Sequence, residues 1–123
     1  MAVNEQFRNA NHVSLPVPAG TKSGDPVRVG VLNGVAQTNV ATDTDWAGGN
    51  PAGHASVWLD GSFVLPVTGA VAEVGAPIYI DDDGALSASG SVLFGAALAT
   101  QTATGDLAVK ILQPGAGDAA GEA

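Results

Sequence analysis

The stretch LPVPAGTKSGDPVRVG, Leu15–Gly30, is echoed by LPVTGAVAEVGAPIYI, Leu65–Ile80. Each begins Leu-Pro-Val, crosses small residues, reaches a Gly-x-Pro step and ends on alternating aliphatics. Leu15-Pro16-Val17 matches Leu65-Pro66-Val67 at an offset of 50, and Pro26-Val27-x-Val29 matches Pro77-Ile78-x-Ile80 at 51. Further on, Gly34-Val35-Ala36 answers Gly95-Ala96-Ala97 at 61, and Val57-Trp58-Leu59 answers Val109-Lys110-Ile111 at 52. The jump to 61 assigns the second copy a longer hairpin around Asp81–Ser91. Each half then reads as four strands in one order. Four short strands cannot cover their own apolar face, but two related units can close on each other as a barrel or sandwich. Chance similarity among Val-, Pro- and Gly-rich strands is the competing account.

Period-2 alternation bounded by Gly, Pro, Asn and Asp predicts strands at His12–Val17, Pro26–Val31, Gly34–Thr38, Ala55–Leu59, Ser62–Val67, Pro77–Ile80, Leu93–Ala99 and Leu107–Leu112. The 17 Gly and 7 Pro are spread along the chain and oppose long helices. Asp60-Gly61 in WLDGSF predicts one hairpin and Asp83-Gly84 in IDDDGALS another, since Gly accepts positive φ and Asp caps its own turn. The prolines of the repeat sit at strand entrances, where a missing N–H costs least. A helical turn could start in TDTDWAGG from an Asp cap, but the glycines stop it. The expected fold is all-β: a small single-domain β-barrel or sandwich of two similar strand–turn–strand units, with an extended N-terminal arm. The arm is residues 1–12 and the β domain 13–112, with a long Gly-, Asp- and Thr-rich loop over 41–55. Residues 113–123 read as a disordered acidic tail, because no core-forming residue follows Leu112.

Chemistry is sparse. There is no Cys, hence no disulfide framework, thiolate metal site or cysteine nucleophile. His12 and His54 are far apart in sequence and outside any metal-binding spacing. No G-x-S-x-G elbow occurs. Asp81–Gly84 begins like a calcium loop, but Ser87 and Ser89 stand where ligands belong and no glutamate closes it. No catalytic, cofactor or metal site is expected, and the chain does not read as an enzyme. The net charge of −8 leaves Arg8, Lys22, Arg28 and Lys110 as the only Lys and Arg, too few and too scattered to neutralise phosphates. Direct nucleic-acid binding is therefore excluded. The acidity suits solubility, or steering toward a basic partner. The first ten residues lack the basic flank and apolar run of a signal peptide, and no stretch approaches the ~20 apolar residues of a membrane span. A soluble protein made in the cytoplasm, with no membrane partner, is expected.

The aromatics distinguish the chain more. Trp58 and Phe63 flank Asp60-Gly61 and fit core or hairpin packing. Trp46, among Gly, Asp and Thr, fits an interface anchor, which buries a large area with few rotatable bonds. The polar arm carries two apolar anchors, Val3 and Phe7. It is either a frayed end or a segment that adds a strand to a neighbouring subunit's exposed edge. Val3, Asn4, Phe7, Arg8, His12 and Trp46 are the expected interface with a neighbouring subunit or partner protein.

Across Asn4–Leu112 the motifs VPAGTKSGDPV, GVA and DGSFVLPV, followed by GAPIYIDDDGALS, LFGAALAT and LAVKIL, stand in a fixed order. That ordered set resembles the capsid decoration, or capsid cement, proteins of tailed phages, a family formerly classed as a domain of unknown function. The loop ATDTDWAGGNPAGHA and the acidic tail depart from the pattern, so nothing is carried over to them. The resemblance implies a structural virion protein bound to the outer surface of the expanded capsid. Its partners would be the major capsid protein and copies of itself, as trimers more often than dimers. Its role would be to clamp adjacent capsid subunits against the pressure of packed DNA, with assembly in the host cytoplasm. A receptor- or carbohydrate-binding β module of a phage tail or fibre is the alternative.

Overall fold

The computed structural model describes residues 11–113. Nine strands form along the chain: β1 (His12–Pro16), β2 (Pro26–Val29), β3 (Leu32–Ala36), β4 (His54–Trp58), β5 (Ser62–Thr68), β6 (Pro77–Ile80), β7 (Leu86–Ser87), β8 (Leu93–Ala97) and β9 (Gly105–Ile111). Eight coincide with the strands expected from alternation; β7, only two residues long, carries no periodic signal of its own. The arm residues Val3, Asn4, Phe7 and Arg8, and the tail beyond Gln113, lie outside the described residues.

The strands divide into two sets that share no ladder. β1, β4, β3 and β2 make a four-stranded antiparallel sheet in that order, and β5, β7, β6, β8 and β9 close into a barrel. The sequence repeat reappears as identical pairing. Leu15 faces Ala55 as Leu65 faces Leu107, Val27 faces Gly34 as Ile78 faces Gly95, and Ala36 faces Val57 as Ala97 faces Val109. Bonds outside the ladders repeat too. Leu59 N–H donates to Asn11 O and Ile111 N–H to Gly61 O; Gly24 N–H donates to Ala36 O and Gly75 N–H to Ala97 O. Agreement in register over three strand pairs in each half is not a chance likeness of composition.

The halves differ in how they finish. In the second, the Asp81–Ala85 turn returns as β7, which runs antiparallel to β6 and parallel to β5, so one half closes by itself. Asp81 shapes that turn, its carboxylate accepting from the N–H groups of Asp83 and Ala85 at 2.9 Å each. In the first half β2 and β3 meet through Gly30-Val31, with Gly30 at φ +62 where a two-residue hairpin reserves a place for Gly. That turn lies earlier than the break expected between Val31 and Gly34, and Asn33-Gly34 falls inside β3 instead. Asp60-Gly61 is also not a hairpin: β4 and β5 belong to different sheets, and Gly61 at φ +107 carries the chain from one to the other. The local turn signal was real, but the tertiary partner of each flanking strand lay elsewhere. In the Trp46 region the expected Asp cap is absent; the single 3-10 turn, Ala47–Gly49, has no side-chain cap.

The barrel holds the core. Leu65, Val67, Ile78, Ile80, Leu86, Phe94, Leu107, Val109 and Ile111 pack in one buried cluster, each worth roughly 1.5–3 kcal/mol of burial. The register slips between Ile78, facing Gly95, and Tyr79, facing Leu93. Phe94 is the extra residue, and the slip lets it be fully buried in the cluster. Val35 of β3 joins the same cluster. Close approach explains two glycines. A Cβ on Gly34 would lie 2.5 Å from Val57 Cγ1 and 2.6 Å from the Trp58 carbonyl oxygen, and one on Gly95 would strike the Lys110 carbonyl and sit 3.0 Å from Val109 Cγ1.

A buried asparagine ties sheet to barrel. Asn33, fully buried, donates through Nδ2 to the carbonyls of Leu93 at 2.9 Å and Leu112 at 2.7 Å. Its Oδ1 accepts from Arg28 Nη1 at 2.7 Å, and Arg28 also reaches Leu93 O at 3.1 Å. The Gln113 amide closes the knot, accepting from Asn33 N–H and donating to Asn33 O and Leu59 O. Burial lowers the Arg28 pKa, but a guanidinium remains charged in proteins. At the junction, the Gly61 N–H and then Lys110, 3.4 Å away, hold the Asp60 carboxyl below its usual range. This contribution is present above the ordinary carboxylate pKa and fades as pH falls through the lowered value; it is small because the pair is exposed.

Asn33→Ala leaves the Leu93 and Leu112 carbonyls without their donor and is expected to lower unfolding free energy by about 2–4 kcal/mol in urea titration. Gly34→Ala and Gly95→Ala should each cost about 1–3 kcal/mol in the same measurement, since the obstacle at both is the backbone and valine of the neighbouring strand.

Candidate interaction surface

The expected site residues within the described chain are His12 and Trp46, and the fold keeps them apart. His12 opens β1 opposite Trp58, and the two rings stack at 4.1 Å with 20° between planes. His12 is thus a cross-strand packing partner, a pairing worth a few tenths to about 1 kcal/mol. The Trp46 loop is anchored at the other end of β4, where Ala41 N–H donates to His54 O and Gly53 N–H to Ala41 O. Trp46 is 61% exposed. The loop under it is ordered by buried Asn50, whose Nδ2 donates to Ala47 O at 2.9 Å and Ser56 Oγ at 3.1 Å. A large ring on a fixed support and facing water is what a contact residue requires. Phe63 is partly buried against the barrel core, while Trp58 remains 36% exposed.

The repeat brings out residues that sequence reading missed. On the outer face of the first sheet, Ser14 faces Ser56, and Gln37 N–H donates to Ser56 O. At the same positions on the barrel, Val64 faces Ala108, and Leu98 N–H donates to Ala108 O. Three polar outward positions in one half are thus apolar in the other, and Val64 and Leu98 are 69% and 44% exposed. Scattered exposed apolar residues are ordinary, but three neighbours that depart together from their duplicated counterparts form a patch. Comparing outward positions between the copies would have found it.

The main cleft lies between the β1–β2 connection, the edge of β2 and the β6–β7 turn, lined in part by Thr21, Asp25, Arg28, Thr68, Asp81 and Thr104. Its lining carries the carboxylates of Asp25, Asp81, Asp82 and Asp83 and no His, Cys or Lys. Among the described residues no cluster of three or more His, Cys, Asp or Glu is placed to hold a metal, and no helix is long and apolar enough to cross a membrane.

The duplicated β-fold thus presents an apolar outer patch on the barrel and an exposed tryptophan on an ordered loop of the first half. The model of the phage cement protein family matches residues 7–113, and the chain belongs to that family. Membership carries a capsid-decorating role at the virion surface. No curated protein and no solved structure matches the chain.

Val64→Thr with Leu98→Gln restores polarity while keeping strand-compatible side chains. This pair is expected to change unfolding free energy by less than about 1 kcal/mol, read by thermal or urea melts, because neither side chain is buried.

Proposed function

We propose that this protein binds the outside of the expanded phage capsid and clamps adjacent major capsid proteins together against internal DNA pressure. The observation that carries this reading is the family match over residues 7–113. The apolar Val64–Leu98–Ala108 face supports it as the shell-contacting surface, with Trp46 on its fixed loop as a second anchor. The clamp works mechanically. Each copy adds interface area across a subunit boundary, and repetition over the shell multiplies a modest energy per site through avidity. Copies act as a homo-oligomer at a symmetry axis, a trimer by preference, after assembly in the host cytoplasm. The net charge of −8 suits a basic capsid surface and disfavours adsorption to DNA.

The test is co-sedimentation of purified protein with expanded and unexpanded shells. Saturable pelleting with expanded shells is expected, reduced at least tenfold in affinity by Val64→Thr/Leu98→Gln or by Trp46→Ala. Failure to pellet with any shell, together with retention on a glycan array, would replace this reading with a receptor-binding module.

A further inference from the structure

The repeat exposes a vacancy. In the barrel, β7 fills the space between β5 and β6, pairing Val67 with Leu86, and Ile80 with Leu86 from the other side. Leu86 is 2% exposed, and around it Leu65, Val67 and Ile80 are 2%, 0% and 5% exposed. Among the described residues the corresponding strands of the first half, β1 and β2, have no strand between them, because the β2–β3 connection is only Gly30-Val31. Their matching side chains, Leu15, Val17 and Val29, are only half-buried. Among the described residues no hydrogen bond reaches the outer edge of either strand. A cleft of about 480 Å³ opens at the end of this seam, with Pro18 beyond β1 and Pro26–Arg28 of β2 on one side and Pro66–Thr68 and Ile80–Leu86 of the barrel on the other. The same fold, closed once and left open once, lacks one strand.

We infer that the seam between β1 and β2 accepts a strand from the N-terminal arm of a second copy of this chain, laid parallel to β1 and antiparallel to β2 as β7 is in the barrel. The arm, outside the described residues, precedes β1, one of the two strands that border the seam. Val3 and Phe7 are four residues apart, which in an extended strand puts both on one face to meet the half-buried apolar side chains. Arg8 would approach a cleft that carries Asp25, Asp81, Asp82 and Asp83. A strand carrying Val3 and Phe7 cannot fill its own seam in this direction, because a parallel neighbour needs a return connection of about a dozen residues and only residues 8–11 separate Phe7 from β1. Exchange between copies follows, and it does not depend on capsid binding.

The absence of cysteine makes the test direct. One variant carries Cys in the arm, at Val3, Glu5 or Phe7 in turn, and the other carries Val29→Cys. Mixed and oxidised, at least one arm variant is expected to form a disulfide-linked heterodimer with Val29→Cys, lost when either cysteine is absent. The full chain is expected to sediment as an oligomer, and the chain lacking residues 1–10 as a folded monomer with its β-sheet circular dichroism retained. The backbone amides of Arg28 and Val29 should exchange at least tenfold more slowly in the full chain than in the shortened one. Unchanged sedimentation and exchange on removing the arm would overturn the inference. So would a disulfide formed only within one chain that carries both cysteines. Protection of Arg28 and Val29 that arises only on adding expanded shells would assign the missing strand to the capsid and overturn it equally.

Discussion

The two halves of this protein share no strand pairing, so their relative position depends on side chains, and chiefly on Asn33. Its amide is fully buried and uses both donors on barrel carbonyls, while Arg28 satisfies its oxygen. In a low-dielectric setting each unpaired member of such a network costs about 1–3 kcal/mol; Asn33 has every side-chain group paired, while Arg28 Nη2 is buried without a partner among the described residues. Gln113 bonds Asn33 and Leu59 and thereby draws the end of the barrel's last strand onto the first sheet. Without this knot, sheet and barrel would be joined mainly by the exposed Asp60-Gly61 crossing and by Val35.

Duplication explains most of the rest. One strand order, with Gly34 and Gly95 at the same tight crossing, is used twice, and the copies then diverge by insertion. The second copy gained the Asp81–Ser91 excursion and closed. The first gained the Trp46 loop, pinned by Asn50, and stayed open. Closure puts the stability in the barrel, where the buried cluster lies. Openness leaves the first sheet with edges and a half-covered apolar lining, features that a free monomer must protect and an assembling protein can use. Pro16 and Pro26 lie on those two edge strands, in keeping with the place of proline in sheets.

The outward surfaces differ along the same division. The barrel's outward positions are apolar at Val64, Leu98 and Ala108, where the first half carries Ser14, Gln37 and Ser56. His12, expected at an interface, is exposed and stacked on Trp58.

Strand positions, the all-β class and the repeat were legible because alternation and Pro/Gly punctuation are local and are read along the chain. Trp46 was legible as an exposed ring because its neighbours are too small and polar to bury it. β7 was not, since two residues make no period, and its place is set by β5 and β6 on either side. Asp60-Gly61 read as a hairpin because a dipeptide encodes the bend of the backbone and not the partner of the strand that follows. Asn33 fell in the break between two expected strands, and only the fold brings Leu93 and Leu112, some sixty and eighty residues on, to its amide. The sequence alone determined which segments are strands and that they come in two matching sets. Only tertiary structure decided that one set closes and the other does not, because closure depends on whether a connection is long enough to return a strand to the open edge.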